Sequence, residues 1–331
     1  MVPGRPFTLS LIVPMHNESE MCGIFFDRVI PILQGVTEDY EIICVNDGSR
    51  DDTLEILTGF HVRNPRIKII SLSRNFGKEA ALTAGIDYAT GDAVIPIDAD
   101  LQDPPELIPD LVKRWREGFD TVLAVRRDRQ SDSYLKRTTA NMFYRVIGKL
   151  SEVPIPANAG DFRLLDRTVV EALKLLPERR RFMKGLYAWA GFRSSSIEYS
   201  RTARVAGDTK WGFWGLWNFA LEGIFSFTTL PLRIWTYVGL GTAVFAGIYG
   251  FYIVVHTLIY GADVPGYASL IVLLLFFSGM NMIGLGILGE YVGRIFTEVK
   301  QRPLYLVESV AGIENGASER IRQSRDAEID D

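Results

Sequence analysis

The sequence has few of the residues that build disulfide frameworks and zinc sites. Its 331 residues include two cysteines and three histidines, and the cysteines do not form a CxxC pair. Two cysteines cannot form a disulfide framework, and a structural zinc site takes four Cys or His ligands. The formal net charge of −4 also lacks the basic excess typical of nucleic-acid binding. We therefore expect no disulfide scaffold, no Cys/His zinc centre and no nucleic-acid partner.

Two stretches near the carboxyl end lack charged residues. Residues 234–260 and 264–289 contain no Asp, Glu, Lys or Arg over 27 and 26 residues. A bilayer span needs about 20 apolar residues, so the two stretches predict a transmembrane hairpin in contact with membrane lipid. Arginine and lysine flank its outer ends, whereas the connecting loop carries only Asp263. The positive-inside rule then predicts a cell-membrane protein with two spans and both termini in the cytoplasm.

The first 125 residues alternate β-branched apolar runs with amphipathic segments. Strands are predicted at 8–13, 40–45, 67–72, 93–97 and 121–125, and helices at 20–33, 53–62, 78–89 and 105–117. A further strand is predicted at 162–165, with helices following it to about residue 190. Strands rich in Ile and Val on both faces and separated by helices are typical of a mostly parallel sheet covered on both sides. The predicted fold class is therefore α/β.

The chain divides into four predicted parts. They are a cytosolic α/β domain at 1–209, an interfacial amphipathic helix at 210–231, the transmembrane hairpin at 232–293, and a cytosolic segment at 294–331. Trp211, Trp214 and Trp217 share one face of the second part, and tryptophan just before a span is typical of a helix lying on the bilayer surface. The polar stretch after Glu308 predicts a disordered tail.

Polar residues follow four of the predicted strands at the points where the strands end. These segments are 14–18, 46–53, 73–78 and 98–106. Any one of them is compatible with an ordinary turn. Since ligands bind at the carboxyl ends of strands in sheets of this kind, four such segments at one edge predict a ligand site.

The fourth segment carries two carboxylates one residue apart, Asp98 and Asp100, with Gln102 two residues further on. Mg²⁺ in proteins is held by one or two carboxylates together with substrate phosphates. The segment therefore predicts a divalent cation, Mg²⁺ or Mn²⁺, that neutralises a departing nucleoside diphosphate.

Two common nucleotide folds are excluded by their loops. A dinucleotide fold needs G-x-G-x-x-G after its first strand, and residues 14–18 contain no glycine. A phosphate-binding loop needs an upstream glycine and then Gly-Lys-Ser/Thr, but Gly77 and Lys78 are followed by Glu79 and lack that glycine.

Several motifs resemble those of family 2 glycosyltransferases, and in particular the polyprenyl-phosphate group that includes dolichol-phosphate mannose synthase. They are SLIVPMHNE at 10–18, VNDGS at 45–49, LSRNFGKE at 72–79 and DADLQDPPE at 98–106. Four later features are similar to its bactoprenol glucosyltransferase branch: GDFRL at 160–164, the region of Lys210 and Trp211, the predicted two-span hairpin and EYVGR at 290–294. The resemblance implies a GT-A type, Rossmann-like fold for the catalytic domain. It also implies an inverting transfer of a hexose from a UDP-sugar to undecaprenyl phosphate.

The resemblance also implies a donor site on this chain. The nucleotide would be held by Pro14, Asn17, Glu18, Asp47, Lys78 and Asp98, and the metal by Asp98, Asp100 and Gln102. An alternative for Lys78 is that it merely caps the helix that begins there. The acceptor is a phosphate monoester, which is already largely a dianion at neutral pH, so it needs cations to position it more than it needs a base.

The candidate cations for the acceptor phosphate are Arg126, Arg137, Arg201 and Lys210. Each of them also fits an ordinary surface or lipid-headgroup contact. The catalytic candidates are Asp161, Asp100 and Arg126. Asp161 is interpreted as a weak base, as a group that orients the acceptor through Arg163 or a neighbouring arginine, or as a structural turn residue.

The sugar and the assembly stay open at this point. Glucose is the expected sugar, with mannose, galactose, N-acetylglucosamine and aminoarabinose derivatives as alternatives. A processive glycan synthase and a catalytically dead membrane scaffold are the rival functions. A homo-oligomer, with a tetramer as one form, is predicted from the glycines that crowd the second uncharged run; packing within one hairpin is the alternative. These glycines are Gly284, Gly286, Gly289 and Gly293.

Overall fold

A computed structural model describes residues 6–126, 159–179, 181–199, 230–261 and 266–313. The strands of this part are β1 (Leu9–Met15), β2 (Tyr40–Asn46), β3 (Ile67–Leu72), β4 (Ala93–Pro96), β5 (Thr121–Arg126), β6 (Ala159–Asp166), β7 (Ser194–Tyr199) and β8 (Val307–Ala311). They form one sheet in the order β7-β5-β6-β4-β1-β2-β3-β8.

Helices cover both faces of this sheet. They are α1 (Ser19–Val36), α2 (Thr53–Arg63), α3 (Lys78–Tyr88), α4 (Ile108–Arg116), α5 (Arg167–Lys174) and α6 (Met183–Trp189). Two longer helices, α7 (Leu230–Tyr260) and α8 (Tyr267–Val299), follow in the chain. Side chains of β1 alternate between the two faces: Leu11 and Val13 join the core under α1, α2 and α4, whereas Ile12 joins the core under α3, α5 and α6. This double burial explains the continuous apolar runs and confirms the predicted α/β sheet.

The sheet is more mixed than predicted. β1 pairs in parallel with β2 and β4, β2 with β3, and β5 with β7. β6 runs antiparallel between β4 and β5, and β8 runs antiparallel to β3 at the edge. The carboxyl ends of β1 to β5 nevertheless meet at one edge, which is where the polar segments lie.

The predicted transmembrane hairpin is wrong. In the part of the chain that the structure describes, no helix combines the length and the apolar composition needed to cross a membrane. The prediction rested on the absence of charge in 234–260 and 264–289, which is a weaker condition than sustained apolarity. Two further predictions depended on this hairpin and are therefore wrong as well: the two-span cell-membrane location, and the orientation inferred from the flanking arginines and lysines.

The glycines of α8 differ in their surroundings. A Cβ built on Gly284 would lie 2.0 Å from Nε1 of Trp235 on α7, so glycine here allows two helices of one chain to pack closely. A Cβ on Gly286, Gly289 or Gly293 would meet no atom of the described residues within 4 Å. Close packing within the chain, the alternative to oligomer contacts, therefore accounts for Gly284, and the homo-oligomer stays a prediction.

The carboxyl-terminal segment returns to the sheet. Glu298 near the end of α8 accepts hydrogen bonds from the Arg179 N–H at 3.0 Å. The Tyr305 hydroxyl donates to Asp87 Oδ2 at 2.6 Å in a buried pair, and β8 follows. The predicted disordered tail after Glu308 is therefore wrong as far as Ala311. The predicted interfacial helix at 210–231 lies outside the described residues except for its last two.

Candidate functional site

The loop after β1 is joined to the loop after β2. Asn17 has a left-handed backbone (φ 55°), which asparagine tolerates better than most residues. Its N–H donates to Ser49 Oγ at 3.0 Å, and its Oδ1 accepts from the Arg50 N–H at 2.8 Å. The Glu18 N–H donates to Thr53 Oγ1 at 2.9 Å. Asn17 and Glu18, both predicted nucleotide contacts, thus hold the first two loops together.

Asp51 is the centre of this junction and was missed from the sequence. Its carboxylate accepts from the Thr53 hydroxyl at 2.6 Å and from the Ser19 N–H at 3.1 Å. Burial alone would raise the pKa of Asp51, but the hydrogen bonds from Thr53 and Ser19 outweigh it and lower this pKa to about 2. The sequence could have pointed to Asp51, because it lies two residues before Thr53, where α2 begins.

Asp47 holds the third loop. The buried carboxylate accepts from the N–H groups of Phe76 and Gly77 at 2.7 and 2.9 Å. The neighbouring Gly48 has φ 58°, and a Cβ there would lie 2.4 Å from the Arg74 carbonyl carbon. The loop before α3 therefore packs against the loop after β2 so closely that only glycine fits.

A shared lysine brings two predicted site residues together. Lys78 Nζ lies 2.7 Å from Asp98 Oδ1 and 2.9 Å from Asp161 Oδ2. Burial opposes the charge on Lys78, but Asp98 and Asp161 hold its pKa well above the usual range. Burial likewise acts to raise the pKa of Asp161, and Lys78 overcomes it, so that this pKa falls to about 2. The lysine therefore does more than cap α3, and Asp161 is ionised at neutral pH.

The loop that carries the predicted metal ligands has a strained backbone. Leu101 has φ 54° although it is not glycine, a conformation that costs about 1–3 kcal/mol. Its side chain is buried in the core, which fixes the turn between Asp100 and Gln102. Asp100 Oδ1 accepts from the Gln102 N–H at 3.1 Å. Two carboxylates and one amide on a rigid loop suit a hard cation that also binds substrate phosphates.

The surroundings of the predicted metal ligands contain a lysine and no further cluster of carboxylates among the described residues. Within the described residues, no group of three His, Cys, Asp or Glu side chains converges as a complete metal site. Asp98 is held instead by the ammonium of Lys78, a cation at the place where the sequence predicts a metal ligand. The described residues therefore form no complete metal site by themselves, and Asp98, Asp100 and Gln102 stay a predicted ligand set.

Behind Asp161 lies a second group of charged residues. Arg163 is 3% exposed, its guanidinium lies 4.1 Å from the centre of the Tyr187 ring, and it donates to the Gly160 carbonyl at 2.6 Å. Arg163 thus turns into the core rather than towards the sheet edge. Burial and the nearby Asp161 raise the pKa of Glu79 to about 7. Oδ1 of Asp161 has no hydrogen-bond partner among the described residues.

A polar cavity of about 590 Å³ lies between the loops after β1, β2 and β3. His16, Asn17, Gly48 and Arg74 contribute to its wall, and Glu308 of β8 closes one side. Pro14 lies in β1 at the base of the first loop. The cavity is large enough for a nucleoside, and Asn17 is the one predicted nucleotide contact that contributes to its wall.

Arg126, at the end of β5, lies at the other end of the site. Its Nε donates to the Tyr199 hydroxyl at 3.3 Å, and its Nη2 is 3.8 Å from Asp103 Oδ1. Tyr199 and Asp103 were not selected from the sequence. The other predicted acceptor residues, Arg137, Arg201 and Lys210, lie outside the described residues.

Comparison with known proteins finds one family model, and several relatives that match most of the chain. Residues 10–174 match the family model of glycosyl transferase family 2. The chain is 56% identical over 306 residues to an uncharacterized glycosyltransferase of Synechocystis, covering 92% of this chain and 96% of the relative. It is 51% identical to a prophage bactoprenol glucosyl transferase homolog of Escherichia coli, covering 91% of this chain and 99% of the relative. A bactoprenol glucosyl transferase of Shigella phage SfX is 50% identical, with the same two coverages.

A solved structure gives a weaker match. A mannosyltransferase from Pyrobaculum calidifontis, in complex with GDP-Man and Mn²⁺, is 20% identical with a TM-score of 0.47, covering 66% of this chain and 62% of its own. That likeness is too distant to bear on the reaction.

These matches define the chain as a glycosyltransferase. It belongs to glycosyl transferase family 2, and its resemblance to the polyprenyl-phosphate group of that family is confirmed.

Proposed function

We propose that the protein transfers glucose from UDP-glucose to a polyprenyl phosphate such as undecaprenyl phosphate, with inversion at the sugar. The observation that carries this is the bridge of Lys78 between Asp98 and Asp161, with a nucleoside-sized cavity on one side and Arg126 on the other. Glucose is supported by relatives named as bactoprenol glucosyl transferases that match over 91% of this chain.

The donor binds across the carboxyl edge of the sheet in this proposal. The nucleoside lies in the polar cavity beside Asn17, and the diphosphate extends towards Lys78. Asp98, Asp100 and Gln102 would hold Mg²⁺ or Mn²⁺, which when bound neutralises the charge of the departing UDP. The polar loops and Lys78 orient the donor so that its reacting carbon faces the acceptor.

The acceptor arrives from the side of Arg126. One phosphate oxygen forms a bond to the anomeric carbon while the bond from that carbon to the UDP oxygen breaks, so attack from the opposite face inverts the configuration. The phosphate is already largely a dianion at neutral pH, and no proton has to be removed before it attacks. With its pKa of about 2, Asp161 is a poor proton acceptor and acts by positioning Lys78 and the acceptor.

The catalytic chemistry is assigned to residues 1–209, with β8 adding a strand to the sheet from the far end of the chain. Arg137, Arg201 and Lys210 are proposed as further contacts of the acceptor phosphate, and the homo-oligomer stays a prediction.

A panel of sugar nucleotides tests the proposal. The full-length protein is supplied with undecaprenyl phosphate and, separately, with radiolabelled UDP-glucose, UDP-galactose, UDP-N-acetylglucosamine, GDP-mannose and a UDP-aminoarabinose derivative. We expect labelled lipid from UDP-glucose alone. Labelled lipid from a different donor would contradict glucose as the sugar but support transfer to the polyprenyl phosphate. The absence of labelled lipid with every donor would contradict the proposal.

A further inference from the structure

Tyr199 ends β7 beside the last residue of β5. In the parallel pairing of these strands Tyr199 stands opposite Arg126, so both residues lie at the carboxyl edge of the sheet. The Tyr199 side chain is buried, and its hydroxyl donates a short hydrogen bond to Asp103 Oδ1. Asp103 follows Asp98 and Asp100 in the same loop. A single hydroxyl thus connects the predicted metal loop with the end of β5.

The hydroxyl stands between a cation and an anion. Arg126 Nε donates to it at 3.3 Å, while the nearest separation of the guanidinium from Asp103 is 3.8 Å. Burial and the adjacent Asp103 carboxylate raise the pKa of Tyr199 to about 12, so the hydroxyl stays protonated at working pH. It can therefore donate to the carboxylate and accept from the guanidinium at the same time.

We infer that Tyr199 is a positioning residue for the acceptor phosphate: its hydroxyl, which is bonded to Asp103, fixes the Arg126 guanidinium at the sheet edge without touching the substrate. This inference rests on the proposed role of Arg126 in binding that phosphate. The Arg126 side chain is 28% exposed, which leaves it accessible to an anion, whereas the Asp103 side chain is 7% exposed. Without the hydroxyl, the guanidinium loses one fixed partner and shortens its 3.8 Å ion pair with Asp103 to a charge-assisted hydrogen bond, which draws it away from the sheet edge.

The alternative is that the hydroxyl only completes a buried hydrogen bond. The chain supplies a matched control for that alternative in Tyr305, whose hydroxyl donates to Asp87 Oδ2 in a second buried tyrosine–aspartate pair. Tyr305 precedes β8, at the opposite edge of the sheet from β7. Tyr305→Phe therefore reports the loss of a buried hydroxyl without a change at Arg126.

Steady-state kinetics of the full-length protein with UDP-glucose and undecaprenyl phosphate test the inference. The variants are Tyr199→Phe, Arg126→Ala, the double variant and Tyr305→Phe. We expect Tyr199→Phe to raise the KM for the lipid phosphate by about tenfold, the scale of one charge-assisted hydrogen bond, and to leave the KM for UDP-glucose unchanged. In the Arg126→Ala background, Tyr199→Phe should add no further increase, because its effect passes through Arg126.

Two results would overturn the inference while the proposed function stands. One is that Tyr199→Phe changes the acceptor KM no more than Tyr305→Phe does. The other is that the effects of Tyr199→Phe and Arg126→Ala multiply in the double variant. If Arg126→Ala leaves the KM for the lipid phosphate unchanged, Arg126 does not bind that phosphate, and the inference about Tyr199 is contradicted as well. If the parent protein forms no lipid-linked glucose, the proposed function itself fails.

Discussion

The Lys78 ammonium lies 2.9 Å from Asp161 Oδ2 and simultaneously 2.7 Å from Asp98. Lys78 begins α3, whereas Asp98 follows β4 and Asp161 lies on β6, so one cation ties three separate elements together at the sheet edge. Asp98 belongs to the proposed metal loop and Asp161 to the proposed acceptor side. The two halves of the site are therefore coupled through one side chain.

Lys78→Met tests this coupling. Removal of the ammonium leaves two carboxylates without their common partner, so we expect turnover to fall by about 100-fold or more, the scale seen when one preorganised charge-stabilising group is lost. Binding of Mn²⁺ in the absence of nucleotide should become stronger, because Lys78 no longer competes for Asp98; isothermal titration calorimetry measures this. Lys78→Arg, which keeps the charge, is the matched control. If the parent and Lys78→Met bind Mn²⁺ with equal affinity, Lys78 does not compete with the metal ion for Asp98.

Asp161→Asn separates positioning from proton transfer. The pKa of Asp161 is about 2, so the parent carries a carboxylate throughout the pH range of an assay. We expect the variant to lose most of its turnover while its dissociation constant for the UDP-sugar stays close to that of the parent. A pH–rate profile should show no recovery at high pH, because the acceptor phosphate is already ionised. Full recovery at high pH would identify Asp161 as a proton acceptor.

Asp100→Asn addresses the metal loop. It removes one negative charge from the set that would bridge the cation and the diphosphate, and we expect nearly all activity to disappear. Excess chelator should inhibit the parent to the same extent, and added Mg²⁺ or Mn²⁺ should restore the activity of the parent alone. Full turnover of the parent in excess chelator would contradict the assignment of Asp98, Asp100 and Gln102.

Much of the sheet was predictable from the sequence, because β1 to β4 are buried on both faces and so carry continuous apolar runs. β7 and β8 were missed, since both are edge strands and their segments, SSSIEY and VESVA, combine polar residues with little apolar periodicity. The same limit applies to side-chain networks. Tyr199 is 96 positions from Asp103 and 73 from Arg126, so no local pattern joins them. The hairpin was mispredicted because uncharged sequence was read as membrane-spanning sequence.

Glu79→Gln tests the buried charge behind the site. The pKa of Glu79 is raised from 4.5 to about 7, so the folded protein retains a proton that the unfolded chain releases within this interval. Stability therefore falls as pH rises from about 4.5 to 7, because the folded state binds more protons there. We expect the melting temperature of the variant, relative to the parent, to increase from pH 5 to pH 8. A difference that does not change with pH would contradict the raised pKa.

Gly48→Ala probes the contact between the second and third loops. A Cβ at residue 48 would approach the Arg74 backbone to 2.4 Å, and the φ of 58° is unfavourable for alanine. We expect a loss of at least about 1–2 kcal/mol in the free energy of unfolding and a weaker affinity for UDP-glucose, because the loop before Lys78 must move. Gly59→Ala is the control: Gly59 lies in α2 and its built Cβ meets no described atom within 4 Å. That change should stabilise the protein by about 0.5–1 kcal/mol. Unchanged nucleotide affinity in Gly48→Ala would show that the loop contact does not shape the donor site.

The most direct test of the whole account is the product formed from UDP-[¹⁴C]glucose and undecaprenyl phosphate by the purified full-length protein. We predict a labelled lipid in which glucose is joined to the phosphate with the configuration inverted relative to the donor. The Asp161→Asn and Lys78→Met variants should form this product at no more than a few per cent of the parent rate. Undiminished lipid-linked glucose from both variants, or no labelled lipid from the parent, would contradict the account.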